Sequence, residues 1–362
     1  MLSVELQIGR QFQDWIDGFN DENENSFIDQ IITSFISFYC DNKIEENLQF
    51  LAYEIALAAE LRPKSIHNLT KLVKEITTTR KTDKFANFKN YLVDAIMSTQ
   101  SIYSFEMKVR LLHSCFEADI YKIDEICEYL NVFPIDQTIR VLILLSIFVF
   151  DIDKHDSNLV NSILGKLEVY GASALQFNQY LDTDINKYRE FIISLRENEY
   201  KLSKQIINGI YPEDSLEFTI YTDNSDELQK LLSESEYNPE IRLKQSFLNP
   251  NTEILSPLQF SALHGSIKCF RCLEKCNKLD DSIPDFAVQG GSIEIVNICD
   301  SKCLSFSNAL VTAALNRRTE ILEFLLKNKE FSQVEVMGAL ELCIRTKSIA
   351  SIETICSFKK NK

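Results

Sequence analysis

The chain has 362 residues, 45% hydrophobic and 25% charged, a balance that excludes a disordered polymer and suits a globular protein. Nine Gly and seven Pro leave little of the punctuation that strands and hairpins require, so an all-α chain is expected, long enough for two or three domains or one continuous solenoid. The formal net charge is −15, unevenly spread: residues 1–60 carry twelve acids against two bases, whereas residues 62–89 carry eight bases against two acids.

In chain order, helical apolar spacing predicts helices at Val4–Phe19, Phe27–Cys40 and Ile44–Leu61. Arg62-Pro63 should end the third, because the residue before proline is pushed out of the α region. Ser65 can cap the next helix, which should run to about Thr77. Further helices are expected at Lys84–Met97, Phe105–Cys115, Ile120–Leu130, Asp136–Phe150, Leu159–Val169 and Ile185–Leu195. Loops between them are short, so consecutive helices should be antiparallel neighbours. The longest apolar run, Val141–Phe150, is far shorter than the roughly 20 residues a membrane span needs, and predicts a buried helix.

A degenerate repeat follows. Its clearest copies are Ser256–Leu273, Asp281–Cys299 and Ser307–Leu326, and aligning Gly265, Gly291 and Arg317 gives two steps of 26 residues. Each copy has a small-residue patch, a polar turn and an aliphatic run, which is the pattern of two short helices that bury their faces only against neighbouring copies. Ser215–Leu232 matches with Asp223 in the turn, 42 residues before Gly265, which implies an inserted loop over 238–255. Leu340–Phe358 matches with Lys347 in the turn, 30 residues after Arg317. The expected organisation is an N-terminal helical region over 1–205, with a further division near 62 as an alternative, then five helix pairs over 206–362.

These units resemble ankyrin repeats. Ser256, Pro257, Leu258, Phe260, Ala262, Gly265 and Leu273 fit the family pattern in the first clear copy. Phe286, Ala287, Gly291, Glu294, Ile295 and Val296 fit it in the second, and Leu310, Ala313, Ala314, Glu320, Ile321, Leu322, Leu325 and Leu326 in the third. More specifically, the phrases resemble a diverged ankyrin-type domain of unknown function that is expanded in some parasitic protists behind a helical N-terminal region. The 26-residue step is shorter than the family's roughly 33, so the finger between repeats should be short or missing. The resemblance implies a curved α-solenoid that binds a protein partner and performs no chemistry.

In such an array the exposed, variable positions lie on the first helix of each pair and just before it. Here they are Gln259, Leu263 and His264, then Asp285 and Gln289, then Val311, Leu315 and Asn316. Leu263 and Leu315 recur at matching places and offer an apolar stripe, or else pack against neighbouring units. His264 is expected to face solvent, and a change of His264 and Asn316 to Glu to leave the fold intact. The expected core is Leu258, Phe260, Ala262, Phe270, Leu273, Phe286, Val288, Ile295, Val296, Leu310, Ala314, Ile321, Leu322 and Leu325.

Candidate chemistry is sparse. Asp21–Asp29 and Asp151–Asp156 begin like calcium loops, but the twelfth positions are Ile32 and Ser162 where a bidentate Glu is needed. Cys269, Cys272, Cys276, Cys299 and Cys303 lack paired zinc-ligand spacing and read as thiols, the first three along one helix. His113 and Cys115 stand two apart and point away from each other on a helix. No phosphate loop, nucleophile elbow or paired-histidine zinc motif occurs. No enzyme, metal or cofactor is expected; an active site hidden in the N-terminal region is the alternative. Nucleic-acid binding through 62–89 is a further alternative, set against complementary charge within the molecule. Ten cysteines and no secretory signal after Met1 point to reduced thiols in the cytoplasm or nucleus, not to a secreted protein.

Overall fold

A computed structural model describes residues 44–79, 85–99, 101–132, 138–174, 189–201, 210–234, 241–244 and 254–360 apart from 347, with the isolated positions 12, 16, 207, 238 and 248. The helices expected before Ile44 and the acidic motif at 21–29 thus fall almost wholly outside the described residues. So do Arg80, Lys81, Lys84 and Lys347. Helices dominate the described residues, so the protein is all-α in class, with one short ribbon. Two compact units divide the helices, one ending at Ile210 and the other beginning at Tyr211.

The first unit holds α1 (Ile44–Leu61), a 3-10 turn (Pro63–Ser65), α2 (Ile66–Lys74) and a π turn (Glu75–Thr79). α3 (Phe88–Met97), α4 (Ile102–Glu117), α5 (Ile123–Val132), α6 (Thr138–His155) and α7 (Ser157–Ala174) follow. Helix α1 stops at the Arg62-Pro63 step, where Arg62 has φ −140°. Ser65 stands at the N-cap of α2, yet its hydroxyl makes no capping bond. The 3-10 turn runs straight into the helix, and the Ile66 amide donates to the Pro63 carbonyl, so there is no open N-terminus for Ser65 to close. The widened turn after α2 carries Thr77 and Thr78, whose hydroxyls donate back to the Val73 and Lys74 carbonyls at 2.8 and 2.6 Å.

Consecutive helices touch, α1 with α2, α3 with α4, α5 with α6 and α6 with α7, but for α1 and α2 the more extensive packing is with helices further along the chain. Helix α1 packs mainly on α3 and α4, and α2 packs on α4. Helix α4 packs on α6, which also receives α5 and α7. The apolar run of α6 is buried throughout from Leu142 to Val149, including Ser146, whose hydroxyl donates to the Leu142 carbonyl at 2.7 Å. With apolar side chains on all its faces, α6 can only be a central helix.

The second unit is built from helix pairs: α8 (Leu216–Tyr221) with α9 (Ser225–Glu234), α10 (Pro257–Leu263) with α11 (Ile267–Leu273), and α12 (Ile283–Gly290) with α13 (Ile293–Ser301). Then come α14 (Ala309–Leu315) with α15 (Thr319–Asn328), and α16 (Gln333–Arg345) with α17 (Ile349–Lys360). Between the first and second pairs, β1 (Leu243–Lys244) and β2 (Ile254–Leu255) form an antiparallel ribbon with Leu243 opposite Leu255. The first helices pack each on the next, α8 on α10, α10 on α12, α12 on α14 and α14 on α16, and each also packs on its own second helix.

The turn inside each pair shows why the residues align as they do. Asp223, Gly265, Gly291 and Arg317 have φ of 56°, 61°, 82° and 52°, the left-handed region. In three of these turns the next amide reaches back five residues: Asn224 to Thr219, Ser266 to Ser261 and Arg318 to Ala313. Ser348 makes the same bond to Cys343 in the last pair. That is the Schellman closure of a helix C-terminus, which demands a left-handed residue. Glycine takes this conformation freely, while Asp223 and Arg317 hold it against a steric cost.

Two aligned columns of side chains make the core between pairs. Ile220, Ala262, Val288 and Ala314 are buried on the first helices, and Leu228, Phe270, Val296 and Leu322 on the second. Thr219, Ser261, Ala287, Ala313 and Cys343 form a third buried column, small enough for adjacent helices to approach closely. Of the expected core only Phe286 departs, being half-buried; the neighbouring Ala287 and Val288 take the inward positions.

Candidate interaction surface

The eight residues expected on the exposed face lie where the first helices end or show a flank, but they do not form one open stripe. Gln259 belongs to a capping box with Ser256: its amide donates to the Ser256 hydroxyl at 3.2 Å, and its side-chain oxygen accepts from the Ser256 amide at 2.9 Å. Its side-chain nitrogen donates to the Ser282 hydroxyl at 2.8 Å, tying this pair to the next. Asp285 accepts from Asn308 at 3.2 Å and is half-buried, which pushes its carboxyl up against the lowering effect of that bond. The Gln289 carbonyl accepts two bonds from the Arg318 guanidinium, at 3.2 and 3.0 Å. Asn316 donates to the Thr312 carbonyl at 2.9 Å, closing its own helix, and Val311 is half-buried. The Gln259 and Asp285 side chains and the Gln289 main-chain carbonyl therefore join helix ends to neighbouring pairs.

Leu263 and Leu315, matched in sequence, part company in space. Leu263 is 8% exposed and Leu315 is 38% exposed. Beside Leu263 the last residue of α12 is Gly290, whose bare Cα lies close against the Ala262 and Leu263 carbonyls. Next to Leu263, His264, expected to face solvent, is half-buried. Its ring packs against Phe260 at 4.4 Å between centroids, Tyr221 at 5.1 Å and Tyr211 at 6.3 Å, so it is a half-buried member of an aromatic cluster at a helix end. Sequence position alone could not reveal that cluster, because Tyr211 and Tyr221 come from 40 or more residues earlier.

Exposed large apolar residues stand singly at Tyr53, Leu315, Ile241 and Ile254, but three more share one helix, α16. Val334 is 80% exposed, Ile344 60% and Met337 47%, with half-buried Leu340 beside them. Ile344 occupies the column in which Ile220, Ala262, Val288 and Ala314 are buried, and Ile352 on α17 is half-buried where Leu322 and its equivalents are buried. In each earlier pair that face is covered by the next first helix. A series ending on solvent normally substitutes polar residues at these positions; this one keeps isoleucine. Glu341 and Arg345 lie among them, joined by an ion pair at 3.2 Å and largely exposed. They continue the columns of Gln259, Asp285 and Val311, and of Leu263, Gln289 and Leu315.

Other candidate chemistry sits as follows. Asp151, Asp153 and His155 are in the last turns of α6 and form no calcium loop; Asp153 accepts from Arg196 at 2.9 Å and from the Tyr200 hydroxyl. Those donors hold the Asp153 carboxyl below the ordinary range despite the opposing effect of desolvation. Cys269 and Cys299 are buried, and Cys276, Cys303 and Cys356 are exposed. Cys276 lies beyond the end of α11 and not along it. Burial pushes Cys115 and Cys299 up to about 12 and Cys343 up to about 11, leaving them un-ionised at neutral pH. Among the described residues no group of three His, Cys, Asp or Glu side chains could hold a metal ion, and no helix is long and apolar enough to cross a membrane.

Two features of the first unit escaped sequence reasoning. His113 is buried against Phe148, 4.9 Å between centroids, with Nε2 3.5 Å from Asp151 and Nδ1 3.8 Å from Glu117. Buried charges on α4 meet half-buried Glu60 of α1: Lys108 is 3.1 Å from Glu60 and donates to Thr99 at 3.0 Å, Ser104 donates to Glu60 at 2.6 Å, and Arg110 pairs with Glu106 at 3.1 Å. The signal was present in α4, where charges alternate with apolar residues in a helix apolar on several faces, so that some charge had to be buried. Within the basic stretch, Arg62 is buried and Lys89 pairs with Glu125 at 3.0 Å. Those two charges are committed internally. No protein-family model matches the chain, and no curated protein matches it.

Proposed function

We propose that the chain is a non-catalytic binding protein, an ankyrin-like array of five helix pairs behind a helical N-terminal unit, which docks a protein partner in the cytoplasm. The observation that carries the reading is the apolar face of α16, where Val334, Met337 and Ile344 are exposed at the end of the helix series. Exposed apolar side chains clustered on one helix mark an interaction site, because leaving them in water forfeits about 1.5–3 kcal/mol for each large side chain that could be buried. The ankyrin resemblance supports the same conclusion from a separate direction. This reading puts the docking surface on the last pair and not on the middle ones, since Leu263 is buried and the His264 ring is half-buried against Phe260.

The test is affinity capture with the full chain and with a Val334→Asp, Ile344→Asp variant. A protein retained by the wild type and lost by the variant supports the reading. Equal retention by both, or none by either, removes it.

A further inference from the structure

We draw no further inference here: the strongest candidate, the exposed apolar face of α16 formed by Val334, Met337 and Ile344, belongs to the binding reading already given, and nothing in the structure shows what covers it.

Discussion

Gly290 offers the sharpest test of how the helix pairs are held. It is the last residue of α12, and a Cβ built on it would stand 2.2 Å from the Ala262 carbonyl oxygen and 2.6 Å from that of Leu263. Carbon and carbonyl oxygen in contact stay roughly 3.3 Å apart or more, so Gly290→Ala requires α10 and α12 to separate by about 1 Å. The obstacle is backbone, which cannot swing aside as a side chain does. Overpacking of this kind costs about 1–3 kcal/mol, and the upper end applies because a whole helix must move. Replacing glycine by alanine within a helix returns about 1 kcal/mol, leaving a net loss of about 2 kcal/mol. Gly338 in α16 is the matched control: a Cβ there meets nothing within 4 Å, so Gly338→Ala should stabilise by up to about 1 kcal/mol. Urea denaturation followed by circular dichroism reads both. The two variants should differ by about 3 kcal/mol, roughly a hundredfold in the folding equilibrium. If Gly290→Ala is as stable as Gly338→Ala, α10 and α12 do not pack through that glycine.

Other outcomes follow from single contacts. Asp223 accepts from the Lys268 and Cys269 amides at 3.3 and 2.9 Å, placing a carboxylate at the start of α11; Asp223→Ala should cost about 1–2 kcal/mol by thermal melting, and an unchanged midpoint would exclude that role. His264→Glu replaces a half-buried ring packed on Tyr211, Tyr221 and Phe260 with a charge and should destabilise by about 1–2 kcal/mol, whereas Asn316→Glu should change little; equal melting points for the two would sink the aromatic cluster. Cys115 and Cys299 are raised from 9.0 to about 12, so their contribution to stability is full below pH 9 and is lost as pH rises from there toward 12, because the unfolded thiols ionise first. Consistent with that, a thiol reagent at neutral pH should label Cys276, Cys303 and Cys356 well before Cys115, Cys299 and Cys343, and simultaneous labelling would contradict the burial.

Helix identity and repeat phase were legible in the sequence because both arise from local chemistry. The step before Pro63 ended α1 at Leu61, and the run from Val141 to Phe150 had too little polar surface to lie anywhere but inside. Aligning Asp223, Gly265, Gly291 and Arg317 from their flanking small residues located four turns that share a left-handed residue, since the helix–turn–helix closure constrains a few consecutive residues wherever it occurs. Exposure was not legible in the same way. Leu263 and Leu315 have the same local sequence setting, yet only Leu263 is buried. Ala314 and Ile344 occupy equivalent positions, yet Ala314 is buried with α16 packed on its helix and Ile344 is exposed. His264 stands in the turn where its sequence position puts it, yet it is half-buried because Tyr211 and Tyr221 are brought against it. Burial is a property of what arrives from elsewhere in the chain, so the same residue in the same local pattern becomes core or surface only when tertiary packing sets its neighbours.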